Sequence, residues 1–215
     1  MARLITFGDS YTQGTGLSED MLGPKLDKAS PIAWPQLTAD LLGIKCVNKG
    51  LGGISCKMIA YMVSKFDFLP SDIVVIMWPD RARWCVLPDS RDVEQDKIHH
   101  ITPREIDLMP QATAFYNNLY SDRDVNFMFD AWSTYADTIC KSQASRVIHT
   151  VCDAGGMMPG YRKINPRVEW VHGFKESEDD RLDSALDGHW GPIAHQDLSK
   201  RLSEYIALTE VSLRT

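Results

Sequence analysis

Three residue types that together turn a hydroxyl into a nucleophile stand near the two ends of this chain: Ser10 at one end, Asp187 and His189 at the other. A serine hydroxyl is weakly nucleophilic at neutral pH. It attacks a carbonyl when a neighbouring imidazole takes its proton and a carboxylate holds that imidazole in the right tautomer. The chemistry such a set supports is acyl transfer through a covalent serine intermediate. Asp183 is a second carboxylate in reach along the sequence, and His149 and His195 are the next candidates for the base.

Each of these residues needs an element to hold it. Leu4-Ile5-Thr6-Phe7 is a short run of β-branched and aromatic character that reads as a buried strand. Gly8 lets the backbone turn sharply where that strand ends, which puts Ser10 at the strand's carboxyl edge, where open α/β sheets bind ligands. The plainer reading of Asp9-Ser10 is a cap on a turn or helix. At the far end, Asp187-Gly188-His189-Trp190-Gly191-Pro192 leads into an amphipathic segment from about Ile193 to Leu208.

Between these ends, strands and helices alternate. The stretch after Ser10 through Gln13-Gly14-Thr15-Gly16 to Ser30 reads as a loop over the active edge. A helix follows from Pro31 to Leu42 with Ser30 as N-cap and Gly43 as stop, and Trp34 and Leu37 on its core side. Ile44–Asn48 is a second strand, ending in a glycine cluster, Gly50, Gly52 and Gly53, before a helix near Lys57 to Phe66. Ile73–Trp78 is a continuous apolar run, as a central parallel strand requires. Val86 to Pro110 is polar and reads as an insertion or lid at 80–110; its adjacent pair His99-His100 reads as surface histidines, since neighbours point apart and make a poor metal pair. A helical stretch over 111–143, broken near Ser121-Asp122, has one apolar side. Arg146–Asp153 is a fourth strand with His149 as a satisfied core histidine, Val168–Val171 an edge strand, and the acidic run Glu176 to Asp180 a solvated loop.

In order and placement these blocks resemble the SGNH (GDSL-type) hydrolase family. The resemblance rests on Gly8-Asp9-Ser10 after the first strand, on Asn48, Gly50 and Gly53 as an Asn-x-Gly-x-x-Gly pattern after the second, and on Asp187 and His189 close together near the C-terminus. It implies a flavodoxin-like three-layer α/β/α sandwich with a parallel sheet of four or five strands, and a serine esterase that needs no cofactor or metal. It also implies roles. Ser10 would be the nucleophile, His189 the base, Asp187 its orienter, and the amides of Ser10 and of Gly50 or Gly53 the donors that hold the tetrahedral oxyanion. The chain departs from the family twice. Where the family carries Gly-x-Asn-Asp after the third strand, with the Asn completing the oxyanion hole, this chain reads Trp78-Pro79-Asp80-Arg81-Ala82-Arg83-Trp84. Arg81 or Arg83 could supply a donor there, but Arg81 could equally pair with Asp80 or bind an anionic part of a substrate. The position three before His189, usual for the Asp, is Leu186, which leaves Asp187 or Asp183 to serve.

Composition bounds the remaining choices. The 215 residues are 44% hydrophobic and 24% charged, the makeup of one ordinary globular domain, and the net charge of −6 argues against a protein built to grip nucleic acid phosphates. No signal peptide or membrane span is visible, and five cysteines in no metal-type pairing fit a reduced, cytoplasmic setting. The expected partner is a small-molecule, glycan or lipid ester. Two other readings compete: a binding or structural protein that kept the fold with a degraded site, and a nucleotide-binding fold using the glycine loops, although these do not form Gly-x-Gly-x-x-Gly.

Overall fold

The computed structural model describes residues 2–17, 29–86, 99–144, 146–151 and 189–212. Four strands run parallel in one sheet: β1 (Arg3–Gly8), β2 (Lys45–Gly50), β3 (Ile73–Trp78) and the strand Arg146–Val151, in the spatial order second, first, third, fourth. This is the flavodoxin-like order. The inner strands, β1 and β3, are the two whose sequences are least interrupted by polar residues, because each is covered on both faces. Alternation along β3 sends Ile73, Val75 and Met77 to one face and Val74, Ile76 and Trp78 to the other.

Those two faces define the layers. On one side, α3 (Cys56–Ser64) and a long helix Asp122–Gln143 pack Ile59, Val63, Phe129, Ala136 and Cys140 against Ile5, Phe7, Val74, Ile76 and Trp78. On the other, α2 (Trp34–Leu42) and the C-terminal helix Pro192–Ser212 cover Leu4, Val75, Met77 and Ile148. The C-terminal helix does so with Ala194, Leu198, Leu202 and Ile206, one residue every four, which lines up a single face. The remaining elements among the described residues are α1 (Ser10–Gln13), the antiparallel pair β4 (Trp84–Val86) and β5 (His99–Ile101), a 3-10 turn at Pro103–Glu105, and α4 (Pro110–Asn118). The Arg146–Val151 strand is hereafter β6, the Asp122–Gln143 helix α5 and the C-terminal helix α6. The break expected near Ser121 is the N-cap of α5, where the Ser121 hydroxyl accepts from the Asp124 N–H.

Local details depart from the sequence reading. The segment after Ser10 begins with a helical turn, α1, rather than with loop. The N-cap of α2 is Ala33, not Ser30, because Pro35 occupies the second helical position and the helix therefore starts at Trp34; the Ser30 hydroxyl instead accepts from the Ile32 N–H. The second strand extends to Gly50, so the first glycine of the cluster belongs to the sheet. The strand proposed at Val168–Val171, the acidic run at Glu176–Asp180, the residues 87–98 of the insertion, and Asp183 and Asp187 lie outside the described residues. Among the described residues, no helix is long and apolar enough to cross a membrane.

Candidate active site

The nucleophile's position is set by the end of β1. Asp9 N-caps α1, its side chain accepting the Tyr11 N–H at 3.2 Å, so Ser10 is the first residue of a helical turn that ends at Gly14 with φ +82°. Gly8 is required for a reason other than the expected turn. A β-carbon there would lie 2.0 Å from the Thr12 hydroxyl and 3.0 Å from the Met77 carbonyl, so the glycine lets α1 fold back onto the strand ends. Gly50 acts likewise from β2: a β-carbon would meet the Gln13 nitrogen at 2.4 Å and the Thr12 carbonyl carbon at 2.7 Å.

Asn48 ties these pieces together. Its side-chain amide donates to the Thr12 carbonyl at 2.7 Å, and its oxygen accepts the Gly50 N–H at 2.8 Å. The Gly50 amide, expected to face the oxyanion, is therefore turned to Asn48. Gln13 continues the bracket, its side-chain oxygen accepting the Gly52 N–H at 2.9 Å. The glycine cluster's third member, Gly53, is exposed, has φ +76°, and has open space where a β-carbon would stand.

The base arrives from the other end of the chain. His189 Nε2 lies 2.9 Å from the Ser10 hydroxyl oxygen, across 179 positions of sequence. With Nε2 unprotonated, the hydroxyl donates and the imidazole is set to take its proton. Tyr11, next to the serine, packs against His189 at a ring separation of 5.1 Å and against Trp190 at 4.6 Å. Trp190 is buried among α2 and α6, which anchors the residue beside it. Asp187, expected to orient His189, lies outside the described residues.

The other two histidines are held elsewhere. His195 is buried, and its Nδ1 accepts the Trp34 backbone N–H at 3.0 Å; burial, and next the nearby His189, push its pKa down to about 3, so it is neutral at ordinary pH. His149 is buried in β6, accepting the Trp78 indole N–H at Nδ1 (2.9 Å) and facing Asp137 with Nε2 (3.3 Å). Since an indole N–H only donates, Nδ1 is bare and Nε2 carries the proton toward Asp137. Burial drives the Asp137 carboxyl up, but His149 and Lys141 more than offset it and hold it below the usual carboxylate range. His149 is thus the satisfied core histidine that its place in a strand suggests.

The loop after β3 divides its arginines. Arg81 donates to the Asn126 side chain on α5. Arg83 reaches back to the nucleophile's turn and pairs with Asp9, Nη1 to Oδ2, at 2.7 Å. Reading the sequence for donors to an oxyanion missed that pairing: the sequence signals only that a carboxylate beside Ser10 needs a cation once buried, and the adjacency of β1 and β3 that brings Arg83 to it belongs to the fold. It also missed Asn48 and Gln13 as the side chains that fix the turn.

No family model matches the chain, and no curated protein sequence matches it. Solved structures do. A member of the lipolytic G-D-S-L family from Veillonella parvula is 12% identical and superposes with a TM-score of 0.56 over 95% of this chain and 97% of its own. An acetyl xylan esterase from the rumen bacterium Butyrivibrio proteoclasticus, 12% identical, gives 0.63 over 96% of this chain and 63% of its own. A carbohydrate acetylesterase from Sinorhizobium meliloti, 13% identical, gives 0.54 over 97% and 100%. The chain has the SGNH-hydrolase fold.

Proposed function

We propose that this protein is a serine hydrolase that cleaves short acyl esters, with Ser10 as nucleophile and His189 as base. The observation that carries the proposal is the 2.9 Å approach of His189 Nε2 to the Ser10 hydroxyl, made by residues from opposite ends of the chain at the carboxyl edge of the sheet. Esterases and lipolytic proteins among the structures of the same fold support the reaction class, and the acetyl esterases among them favour an acetyl ester of a carbohydrate as substrate.

The reaction would run in two halves. The Ser10 oxygen attacks the ester carbonyl carbon while its proton passes to His189 Nε2, and the carbonyl electrons move onto oxygen. As the tetrahedral species collapses, the C–O bond to the alcohol breaks and His189 returns the proton to the leaving alkoxide. Water then attacks the acyl-Ser10 ester, giving its proton to His189, and collapse releases the acid and restores the serine. Asp187 would stabilise the imidazolium and fix the tautomer. The oxyanion would be held by the N–H of Ser10, which lies in the first helical position where no intrahelical acceptor exists, and by the N–H of Gly53.

The test is hydrolysis of p-nitrophenyl acetate by the wild-type protein and by Ser10→Ala. The variant is expected to lose turnover while keeping its melting temperature, since Ser10 sits on an edge turn and the loss of one oxygen opens no core cavity. A binding protein with a degraded site, the reading that the absent asparagine after Trp78 favours, predicts no turnover in either. Turnover that survives in Ser10→Ala would move the nucleophile elsewhere.

A further inference from the structure

We infer that Arg83 is a positioning residue whose task is to neutralise the Asp9 carboxylate beside the nucleophile, so that negative charge can develop on a substrate bonded to Ser10. For its catalytic half the inference rests on the esterase reading above.

Asp9 is 1% exposed and both its oxygens are engaged, one by the Tyr11 N–H at 3.2 Å and the other by Arg83 at 2.7 Å. A carboxylate buried this fully persists as an anion only with hydrogen bonds and a counter-charge. It is also the residue immediately before Ser10. Attack by Ser10 creates a second negative charge at the residue next in the chain; for a generic pair of like charges about 6 Å apart in a medium of effective dielectric about 20, the repulsion slows a step on the order of 100-fold if nothing balances the first.

The loop after β3 is built to supply that balance. The Asp80 carboxylate accepts the Ala82 N–H at 2.9 Å, and the Arg83 N–H closes onto the Asp80 carbonyl at 3.1 Å, so the backbone turns within four residues. The Tyr116 hydroxyl of α4 donates to the Ala82 carbonyl at 2.6 Å and holds the turn from outside. Because β1 and β3 are adjacent and parallel, the turn at the end of one faces the turn at the end of the other, and the Arg83 guanidinium spans the gap. The position at which the family places an oxyanion asparagine is here occupied by a loop that serves the nucleophile's own neighbour. Arg83 acts through Asp9, not on the substrate.

The experiment compares wild type, Arg83→Met, Arg83→Lys and the double variant Asp9→Asn/Arg83→Met. Asparagine keeps the oxygen that caps α1 and removes the charge. Two readouts are taken, the urea midpoint and the kcat and KM for p-nitrophenyl acetate, a neutral ester that gives Arg83 no anionic group to bind. Charge compensation predicts that Arg83→Met lowers kcat on the order of 100-fold with KM within about twofold of wild type, because the penalty falls on the charged transition state. It predicts a lowered urea midpoint as well. The double variant should regain most of both losses, and Arg83→Lys should retain most of kcat. A double variant as slow and as unstable as Arg83→Met would overturn the inference, as would wild-type kinetics in Arg83→Met. If the wild-type protein hydrolyses no ester, the esterase reading falls by itself; the urea series still decides compensation, since a double variant no more stable than Arg83→Met would sink it.

Discussion

Among the described residues, the contacts around the two halves of the site differ in kind. Ser10 stands in a frame of hydrogen bonds and close backbone approaches: Asp9 capping its turn, Asn48 gripping the Thr12 carbonyl, Gln13 gripping Gly52, Gly8 and Gly50 leaving room for the turn to descend. His189 sits among rings, with Tyr11 tilted against it and the buried Trp190 beside it, on the segment that leads into α6. Hydrogen bonds fix direction steeply, while ring packing fixes position with a softer dependence on angle. The nucleophile, whose amide must also meet an oxyanion, is on the stiff side. The rings beside the base set where it sits, and its orientation falls to the role proposed above for Asp187.

Removing the base tests that division most severely. His189→Ala should lower kcat for p-nitrophenyl acetate by several orders of magnitude, as loss of a triad histidine does elsewhere. In the wild type, activity should rise with pH, because only an unprotonated Nε2 accepts the serine proton. The variant should show neither the rise nor the rate; a pH–rate limb unchanged by the substitution would contradict the assignment.

Asn48→Ala strikes the stiff side without touching the reacting atoms. It leaves the Thr12 carbonyl and the Gly50 N–H without their partners, and kcat should fall by about 10- to 100-fold, with a stability loss of roughly 1–3 kcal/mol in urea. If ring packing and the strand ends alone held Ser10, kcat would be unchanged.

On the softer side, His195 gives the base's helix a pH signature. Its folded pKa of about 3 lies below the usual value near 6.5 of an unfolded chain, so the unfolded state takes up a proton that the folded state refuses. The sign follows: the contribution is fully present above the unfolded pKa and is lost as pH falls toward the folded pKa, at up to about 1.4 kcal/mol per pH unit. His195→Asn, whose side-chain oxygen can still accept the Trp34 N–H, should flatten the decline of the urea midpoint between about pH 6 and 4. An unaltered decline would place the acid sensitivity elsewhere. The smallest effect is expected at Arg81, which donates to Asn126 at the surface: Arg81→Ala should leave kcat within about threefold of wild type, whereas a fall confined to kcat would make it an oxyanion donor after all.

Much of this was legible because it is periodic or punctuated. Ile73–Trp78 had to be an inner strand, the amphipathic run from about Ile193 to Leu208 had to be a helix, although which of its residues face the core was read only from the structure, and Gly43 had to stop α2, which it does in the left-handed conformation at φ +64°. Ser10 and His189 were legible as residue types, and the fold brings them together. The spatial contacts were not. Gly8 looks like a turn glycine in one dimension and is a packing glycine in three, because the Thr12 hydroxyl that fills the space comes from the turn folding back. Gly50 and Gly53 are equivalent in the motif and opposite in the structure, since Asn48 captures the amide of one and leaves the other exposed. The pairing of Arg83 with Asp9 depends on which strand lies beside β1, a fact that residues 9 and 83 do not carry.

The central claim is that Ser10 is an activated nucleophile, and its most direct test is covalent capture. The wild-type protein is incubated with a fluorophosphonate, digested, and the modified peptide located by mass. Phosphonylation of a single residue, Ser10, at a rate that falls when His189 is replaced by alanine, is the result predicted. An unlabelled wild-type protein, or a label carried by another residue, would contradict the account.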